Sequence, residues 1–204
     1  MTRIALVRHG QTDWNRSRRI QGATDIPLND VGRRQARDAA AALAGGDWDA
    51  VYSSPLSRAA ETGSIIADRL GLPEPVAIEG LAERAYGQAE GLTGSEVRER
   101  FDGAPVPGRE PTESVLTRAL AALHDLAERH PDDGIVVVSH GGVIGALVRW
   151  LSDERLPAPG MLILNGSAHM FEHRDGSLAL VDFAGADEDL DMVGDPDDRI
   201  PIAR

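Results

Sequence analysis

The stretch that decides the fold is Leu6-Val7-Arg8-His9-Gly10-Gln11-Thr12. It continues an apolar run that predicts a strand over residues 3–8, and it ends abruptly in a cation, an imidazole and a glycine. In open α/β sheets, ligands bind at the edge formed by the carboxyl ends of the strands. The stretch therefore predicts that His9 lies at a ligand-binding edge, together with other side chains that the rest of the chain must supply.

The composition narrows the class of protein. The chain has 204 residues, of which 42% are hydrophobic, so we expect a single domain over residues 1–204 with a substantial core. It has no cysteine and no lysine, which excludes disulfides, thiolate metal sites, a Schiff-base lysine and a Walker-type phosphate loop. The net charge of −12 argues against a nucleic-acid binder. No apolar run is long enough for a signal peptide or a membrane span, so we expect a cytoplasmic protein without membrane partners.

Predicted strands and helices alternate along most of the chain. Apolar runs predict further strands, the last two joined by an Asp-Gly hairpin turn, at residues 50–52, 76–78, 134–139, 161–171 and 177–183. Helical periodicity and capping residues predict helices at residues 30–43, 55–70, 94–101, 113–129 and 143–151. This order is typical of a three-layer α/β/α sandwich around a mostly parallel central sheet.

Two segments stand outside this alternation. Residues 81–111 have little periodicity, and we interpret them as a short lid insertion. The acidic stretch at about residues 186–204 is interpreted as a solvated C-terminal tail, because its acids do not follow the calcium-loop pattern. One helix start is specific: Ser54 is predicted as the N-cap, with Pro55 at the first helical position.

Three strand-to-helix junctions repeat one pattern. His9, Arg58 and His140 each follow shortly after a predicted strand, and glycine comes directly after both histidines. Because the carboxyl ends of parallel strands meet at one edge of a sheet, we expect these side chains to lie together with Arg8. Two arginines, a second imidazole and a helix N-terminus favour binding of a phosphoryl group. A neutral histidine is also a competent nucleophile when a hydrogen bond fixes its tautomer.

The other four histidines are interpreted as structural. His124 and His130 fall on or just after a predicted helix, and His169 and His173 share one face of a predicted strand. A metal site at the last two would need a third ligand that the sequence does not supply, so we expect no metal.

A phosphoryl transfer also needs an acid for the leaving oxygen. The segment around the lid offers Glu79, Glu83 and Glu90, and residue chemistry alone does not choose among them.

Four motifs in order resemble the histidine phosphatase superfamily, in its branch of cofactor-dependent phosphoglycerate mutases and related phosphatases. The resemblance runs from residue 4 to about residue 150 and is carried by Arg8-His9-Gly10 with Thr12 and Asn15, Arg58-Ala59 at a helix start, Glu83-Arg84 with Tyr86-Gly87, and His140-Gly141-Gly142.

The resemblance implies a role for each matching residue. His9 would be the nucleophile that forms a phosphohistidine, and Glu83 would be the proton donor and later the base. The residues implied to bind the phosphoryl group are Arg8, Arg58 and His140. Those implied to contact the substrate are Asn15, Gln21, Gly22, Tyr86 and Gly141. The acid-phosphatase branch has an aspartate at the position of Gly141, which favours Glu83 as the acid here.

Departures from the mutase pattern favour hydrolysis over isomerisation. The mutases carry a lysine shortly after the tyrosine-glycine pair and an asparagine at the position of Gly142, and this chain has neither. We therefore predict a metal-independent phosphomonoesterase that acts on a small phosphorylated metabolite without a cofactor. A phosphoglycerate mutase and a catalytically silent phosphate-binding protein are the alternatives. The particular substrate is left open, and a homodimer is one assembly to be tested.

Overall fold

The computed structural model of this protein describes residues 1–187, and the predicted acidic tail lies almost wholly outside them. Within this part of the chain lie eight strands: β1 (Thr2–Arg8), β2 (Ala50–Ser53), β3 (Val76–Ala77), β4 (Gly134–Ser139), β5 (Met161–Ile163), β6 (Ala168–Arg174), β7 (Ser177–Asp182) and β8 (Gly185–Asp187). Six of them form the central sheet in the order β3-β2-β4-β1-β6-β7, and β5 pairs with β8 separately. The pairs among β1 to β4 are parallel and those of β6 are antiparallel, so the sheet is mostly parallel, as predicted.

The helices cover both faces of this sheet. They are α1 (Asp13–Arg16), α2 (Asp30–Leu43), α3 (Ser57–Leu70), α4 (Gly94–Phe101), α5 (Thr112–Arg129) and α6 (Gly141–Leu151). Successive side chains of a strand point to opposite faces. Ile4 and Leu6 of β1 accordingly pack in one core cluster with α5 and α6, while Ala5 and Val7 pack in a second with α2 and α3. The predicted three-layer α/β/α sandwich is confirmed.

The register between β1 and β4 positions the functional edge. Arg8 lies opposite Ser139 in this parallel pair, so the next residue of each strand leaves the sheet at the same point. Those residues are His9 and His140, and the His9 amide still donates to the Ser139 carbonyl at 3.0 Å. The two predicted strand ends therefore meet.

Three local predictions were wrong. The strand predicted over residues 161–171 is divided into β5 and β6, because residues 164–167 turn between them and β5 pairs with β8 instead of joining the central sheet. Residues 11–28, which lie outside every predicted strand and helix, contain the short helix α1. Thr12 at the N-cap and Asn15 at the third helical position form a reciprocal capping box. This pair is visible in the sequence, although the hydrophobic periodicity of these residues does not indicate a helix.

The start of α3 also differs from the prediction. The helix begins at Ser57, and its N-cap residue, Leu56, makes no side-chain cap. The Ser54 hydroxyl instead accepts the Leu56 amide at 3.2 Å in a local turn. The Asp25 carboxylate, from a distant loop, caps the helix by accepting the Ser57 amide at 2.9 Å. A cap supplied from another segment cannot be predicted from the local sequence.

The segment predicted as a lid packs against the domain at both of its ends. It begins at the end of the 3-10 turn Glu79–Leu81 and contains the 3-10 turn Gly87–Ala89 and then α4. Near its start, Glu90 accepts from the backbone amides of Ala23 and Thr24, both at 3.0 Å. At its end, Glu110 pairs with Arg118 of α5 at 2.9 Å. In residues 1–187, no helix combines the length and the apolar character that crossing a membrane requires.

His169 gives a testable link between the fold and pH. This fully buried histidine of β6 contacts Ser167 Oγ at 2.9 Å and stacks on Phe183. Burial, and then the charge of Arg8, lower its pKa to about 4. The unfolded chain, with an ordinary histidine pKa near 6.5, then binds the proton first as the pH falls. Wild type should therefore lose about 2 kcal/mol more unfolding free energy than His169→Gln between pH 7 and pH 5.

Urea denaturation of both proteins at each pH measures this difference, in which the contributions of the carboxylates cancel. Parallel stability curves for the two proteins would contradict a depressed pKa at His169.

Candidate active site

His9 and His140 form the centre of the candidate site. Their ring centroids are 5.0 Å apart, and the two residues are 2% and 0% exposed. The convergence expected from the strand ends is therefore present in the structure. Because His140 is also the N-cap of α6, the positive end of that helix points at the same place.

The hydrogen bond of His9 determines which ring nitrogen can react. Its Nδ1 lies 2.7 Å from the Gly10 carbonyl oxygen, which can only accept, so Nδ1 carries the proton. The lone pair is then on Nε2. Burial lowers the pKa of His9 well below its usual value, and the charges of Arg58 and Arg8 lower it further. His9 is thus a neutral imidazole at neutral pH, which is the nucleophilic form.

Two arginines surround the histidines, and both are buried. Arg58 is 0% exposed, and its Nη1 and Nη2 donate to the carbonyls of Thr24 at 3.0 Å and Gly22 at 2.8 Å. Arg8 is 1% exposed and donates to the Ile163 carbonyl. These carbonyl oxygens fix the orientation of the guanidinium groups. Both cations depress the pKa of His9, so their positive charge acts directly at the site.

The second histidine has a defined tautomer as well. Ser54 Oγ accepts the Leu56 amide and lies 2.7 Å from His140 Nε2. In residues 1–187, that nitrogen is the acceptor available to the Ser54 hydroxyl proton, so Ser54 donates to it and the ring proton of His140 is on Nδ1. Nδ1 is buried and makes no hydrogen bond within this part of the chain. His140 therefore offers an N–H donor to an anion bound between the two rings.

The electrostatics of His140 favour the neutral form of its ring. Burial lowers its pKa well below the usual value, and Arg58, His9 and Arg8 add to the shift. A neutral His140 cannot donate from both ring nitrogens, so the hydrogen bond from Ser54 decides which nitrogen carries the proton.

The structure distinguishes the three candidate glutamates. Glu79 is exposed. Glu90 accepts amide hydrogen bonds from Ala23, Thr24 and Tyr86 and so connects two loops. Glu83 is 7% exposed, and its Oε2 accepts the Gly142 amide at 3.1 Å, which places the carboxyl group beside the first turn of α6. Geometry therefore selects the same glutamate that the resemblance implied.

The residues predicted to contact the substrate divide into two groups. Tyr86 and Gly141 line a pocket that adjoins the histidine pair. Asn15 and Gln21 are buried and accept hydrogen bonds from the Thr12 hydroxyl, and the Gly22 carbonyl accepts from Arg58. These contacts are all within the protein.

The pocket has a volume of about 320 Å³, at the small end of the range for ligand sites. It lies between the start of α6, the segment after Glu83 and the loop of residues 154–160. Its cationic lining residues are Arg84, Arg109 and Arg149. Within residues 1–187, no group of three or more His, Asp and Glu side chains is placed to hold a metal ion.

Several residues of the site were not predicted from the sequence. Ser54 is predicted only as a helix N-cap. Its position after a predicted strand is the same signal that places His9 in the predicted site. Arg109 and Arg149 have no local signal, because they reach the pocket only through the packing of the lid and α6.

A substitution pair tests the hydrogen bond to His140. In Ser54→Ala, His140 loses the donor to Nε2, so the ring should become a mixture of tautomers. Nitrogen-15 NMR of the imidazoles should report protonated Nδ1 and unprotonated Nε2 for His140 in wild type and averaged shifts in the variant. Ser53→Ala is the matched control, because Ser53 Oγ is buried and makes no hydrogen bond within residues 1–187. A protonated Nε2 in the wild-type protein would refute the assignment.

Comparison with known proteins identifies the family. The profile of the histidine phosphatase superfamily (branch 1) matches residues 4–184. A phosphatase of Bacillus subtilis named PhoE, described as uncharacterized, is 40% identical over 152 residues, which cover 74% of this chain and 78% of that protein. The metal-independent phosphoserine phosphatase of Arabidopsis thaliana is 36% identical, with 86% of this chain and 78% of that protein covered. Three bisphosphoglycerate-dependent phosphoglycerate mutases are 31–33% identical.

A solved structure supports the same relationship. The phosphoserine phosphatase of Entamoeba histolytica in complex with 3-phosphoglyceric acid superposes with a TM-score of 0.76 and 34% identity, covering 90% of this chain and 96% of that one. The family profile thus matches nearly the whole chain, several of its relatives are phosphatases, and it shares the fold of a solved phosphatase. The chain belongs to branch 1 of the histidine phosphatase superfamily and is a phosphatase of that superfamily.

Proposed function

We propose that this phosphatase hydrolyses a small phosphorylated metabolite through a phosphohistidine on His9. The observation that carries the proposal is the tautomer of His9, whose Nε2 lone pair lies among two buried arginines and a second histidine. The Entamoeba histolytica phosphatase has structures with phosphoserine and with 3-phosphoglyceric acid, two small phosphomonoesters that carry a carboxylate. A pocket of about 320 Å³ suits a leaving group of similar size.

The first step transfers the phosphoryl group to the protein. His9 Nε2 attacks phosphorus as the bond from phosphorus to the ester oxygen breaks. Glu83 gives its proton to the departing alkoxide, which leaves as the alcohol. In the second step water attacks the phosphohistidine, Glu83 takes the proton of the water, and the bond from phosphorus to Nε2 breaks. Inorganic phosphate is released and His9 is regenerated.

The surrounding cations stabilise the charge that develops on the transferring group. Arg8 and Arg58 supply two fixed positive charges, and the Nδ1–H of His140 supplies a hydrogen bond. In this scheme the arginines take the electrostatic role that metal ions have in kinases, so we propose that the activity needs no added metal.

The environment of Gly142 favours hydrolysis over the mutase alternative. A Cβ atom at this position would lie 2.7 Å from Glu83 Oε1 and 2.9 Å from Tyr86 Oη. The mutase-type asparagine would therefore displace Glu83 here. The silent-binder alternative has no support, because every position of the four motifs is occupied by a residue of the expected type. A cytoplasmic location and a homodimer stay predictions.

Substitutions at His9 and Glu83 test the two proposed roles. His9→Ala should release no phosphate from any ester, because no nucleophile remains. Glu83→Gln should reduce turnover of an alkyl phosphate by about 100-fold or more, since a general acid contributes that much. The same variant should keep most of the phosphorylation rate with p-nitrophenyl phosphate, whose leaving group needs little protonation. Burst kinetics with the aryl ester isolate that step.

Glu79→Gln is the matched control, because this nearby glutamate is exposed and should leave both rates unchanged. The assays are run with and without EDTA. Equal losses on alkyl and aryl esters in Glu83→Gln would contradict the acid role, and EDTA inhibition would contradict metal independence.

A further inference from the structure

We propose that the pocket beside the histidine pair recognises a carboxylate on the leaving group of the substrate, and that Arg149 binds it. This inference rests on the proposed function, because it assigns the part of the ester that departs as the alcohol.

The position of the pocket makes it the leaving-group side of the site. It includes Gly141 and Gly142, the residues directly after His140, and Arg84, the residue directly after Glu83. A phosphoryl group held between the two histidines therefore projects its ester oxygen toward Glu83 and the remainder of the molecule into this pocket.

The charge of the pocket is opposite to that of the protein. Among the described residues, three arginines line it against one acidic residue, Glu154, while the whole chain has a net charge of −12. Arg84 is only 8% exposed, and its Nε donates to the Glu110 carbonyl at 2.7 Å. Cations thus outnumber anions among the described lining residues, which favours a ligand with negative charge beyond its phosphate.

Within residues 1–187, the side chain of Arg149 has unused hydrogen-bonding capacity. In this part of the chain, its guanidinium makes no hydrogen bond or ion pair, and its Nε is buried. Its Nη2 lies 3.9 Å from the position that a Cβ atom on Gly145 would occupy, so it reaches along α6 on the pocket side of the helix. The planar guanidinium is matched to the two oxygens of a carboxylate.

The other walls limit the rest of the ligand. Tyr86 is the one aromatic residue in the described lining, and the guanidinium groups of Arg84 and Arg109 lie over its ring at 5.5 and 5.4 Å. A nucleobase would therefore have to compete with these guanidinium groups for the ring. The lining also includes apolar side chains, among them Val115, Ala158 and Ile163. The pocket therefore suits a short aliphatic acid in place of a nucleoside.

A matched pair of esters tests the inference. 3-Phosphoglycerate and glycerol 3-phosphate differ only in a carboxylate against a hydroxymethyl group. Wild type should hydrolyse the acid with the higher kcat/KM, by about 10- to 100-fold, since hydrogen bonds between charged groups contribute that much. Arg149→Met should remove most of this preference by lowering kcat/KM for the acid alone, and Arg149→Lys should keep part of it. Arg129→Met, at the far end of α5, is the control and should keep the preference.

Each other outcome has a distinct meaning. Equal rates on the two esters in wild type, or equal losses on both in Arg149→Met, overturn the inference while the proposed function stands. In another outcome, wild type prefers propane-1,3-diol bisphosphate tenfold over 3-phosphoglycerate, and Arg149→Met loses that preference. That result overturns the inference of a carboxylate and shows that the pocket recognises a second phosphate. No hydrolysis of any ester, p-nitrophenyl phosphate included, overturns the proposed function and this inference together. Thermal melts of each variant confirm that it is folded.

Discussion

The parallel pairing of β1 with β4 in one register is the constraint on which the site depends. Arg8 lies opposite Ser139, so the residues that follow, His9 and His140, leave the sheet side by side. A slip of one residue would move every side chain of a strand to the opposite face and separate the two imidazoles. Both strands are buried on both faces by helices, and the apolar side chains on each face hold that register. The core of this protein thus positions its reactive groups directly.

A second constraint is electrostatic. The site concentrates two buried guanidinium groups next to two buried imidazoles. Desolvation and positive charge together keep both rings neutral, which leaves one lone pair at His9 and one N–H donor at His140. Backbone carbonyls, together with the Ser54 hydroxyl, then fix the direction of each group. An anion bound here would offset the cost of burying these polar groups, which supports the proposal of a phosphoryl group as the occupant.

The sequence correctly predicts the mostly parallel sheet, most helix bounds and the convergence of His9, Arg58 and His140. These follow from local periodicity and from the geometry of parallel strands, which a single sequence displays. Features that depend on distant contacts could not be predicted from the sequence. Asp25, from a distant loop, caps α3. The Ser54 hydroxyl forms a hydrogen bond with His140, and β5 pairs with β8 outside the central sheet.

The choice of the acid illustrates the same limit. Three glutamates near the lid were equivalent by composition and spacing. Only the fold separates the exposed Glu79 and the loop-bridging Glu90 from Glu83 beside α6. In the same way, the arginines of the pocket come from two distant parts of the chain, Arg84 and Arg109 from the lid segment and Arg149 from α6. Their grouping is a property of the packing, and no short window of the sequence contains it.

The central claim is that His9 carries the phosphoryl group during turnover. Rapid mixing of the protein with excess substrate, alkaline quenching within milliseconds and tandem mass spectrometry of the peptides test it most directly. The account predicts one phosphate per chain, labile to acid, on the imidazole of His9 and formed at a rate no slower than turnover. A steady release of phosphate with no phosphohistidine on any peptide, or with the phosphate on another residue, would contradict it.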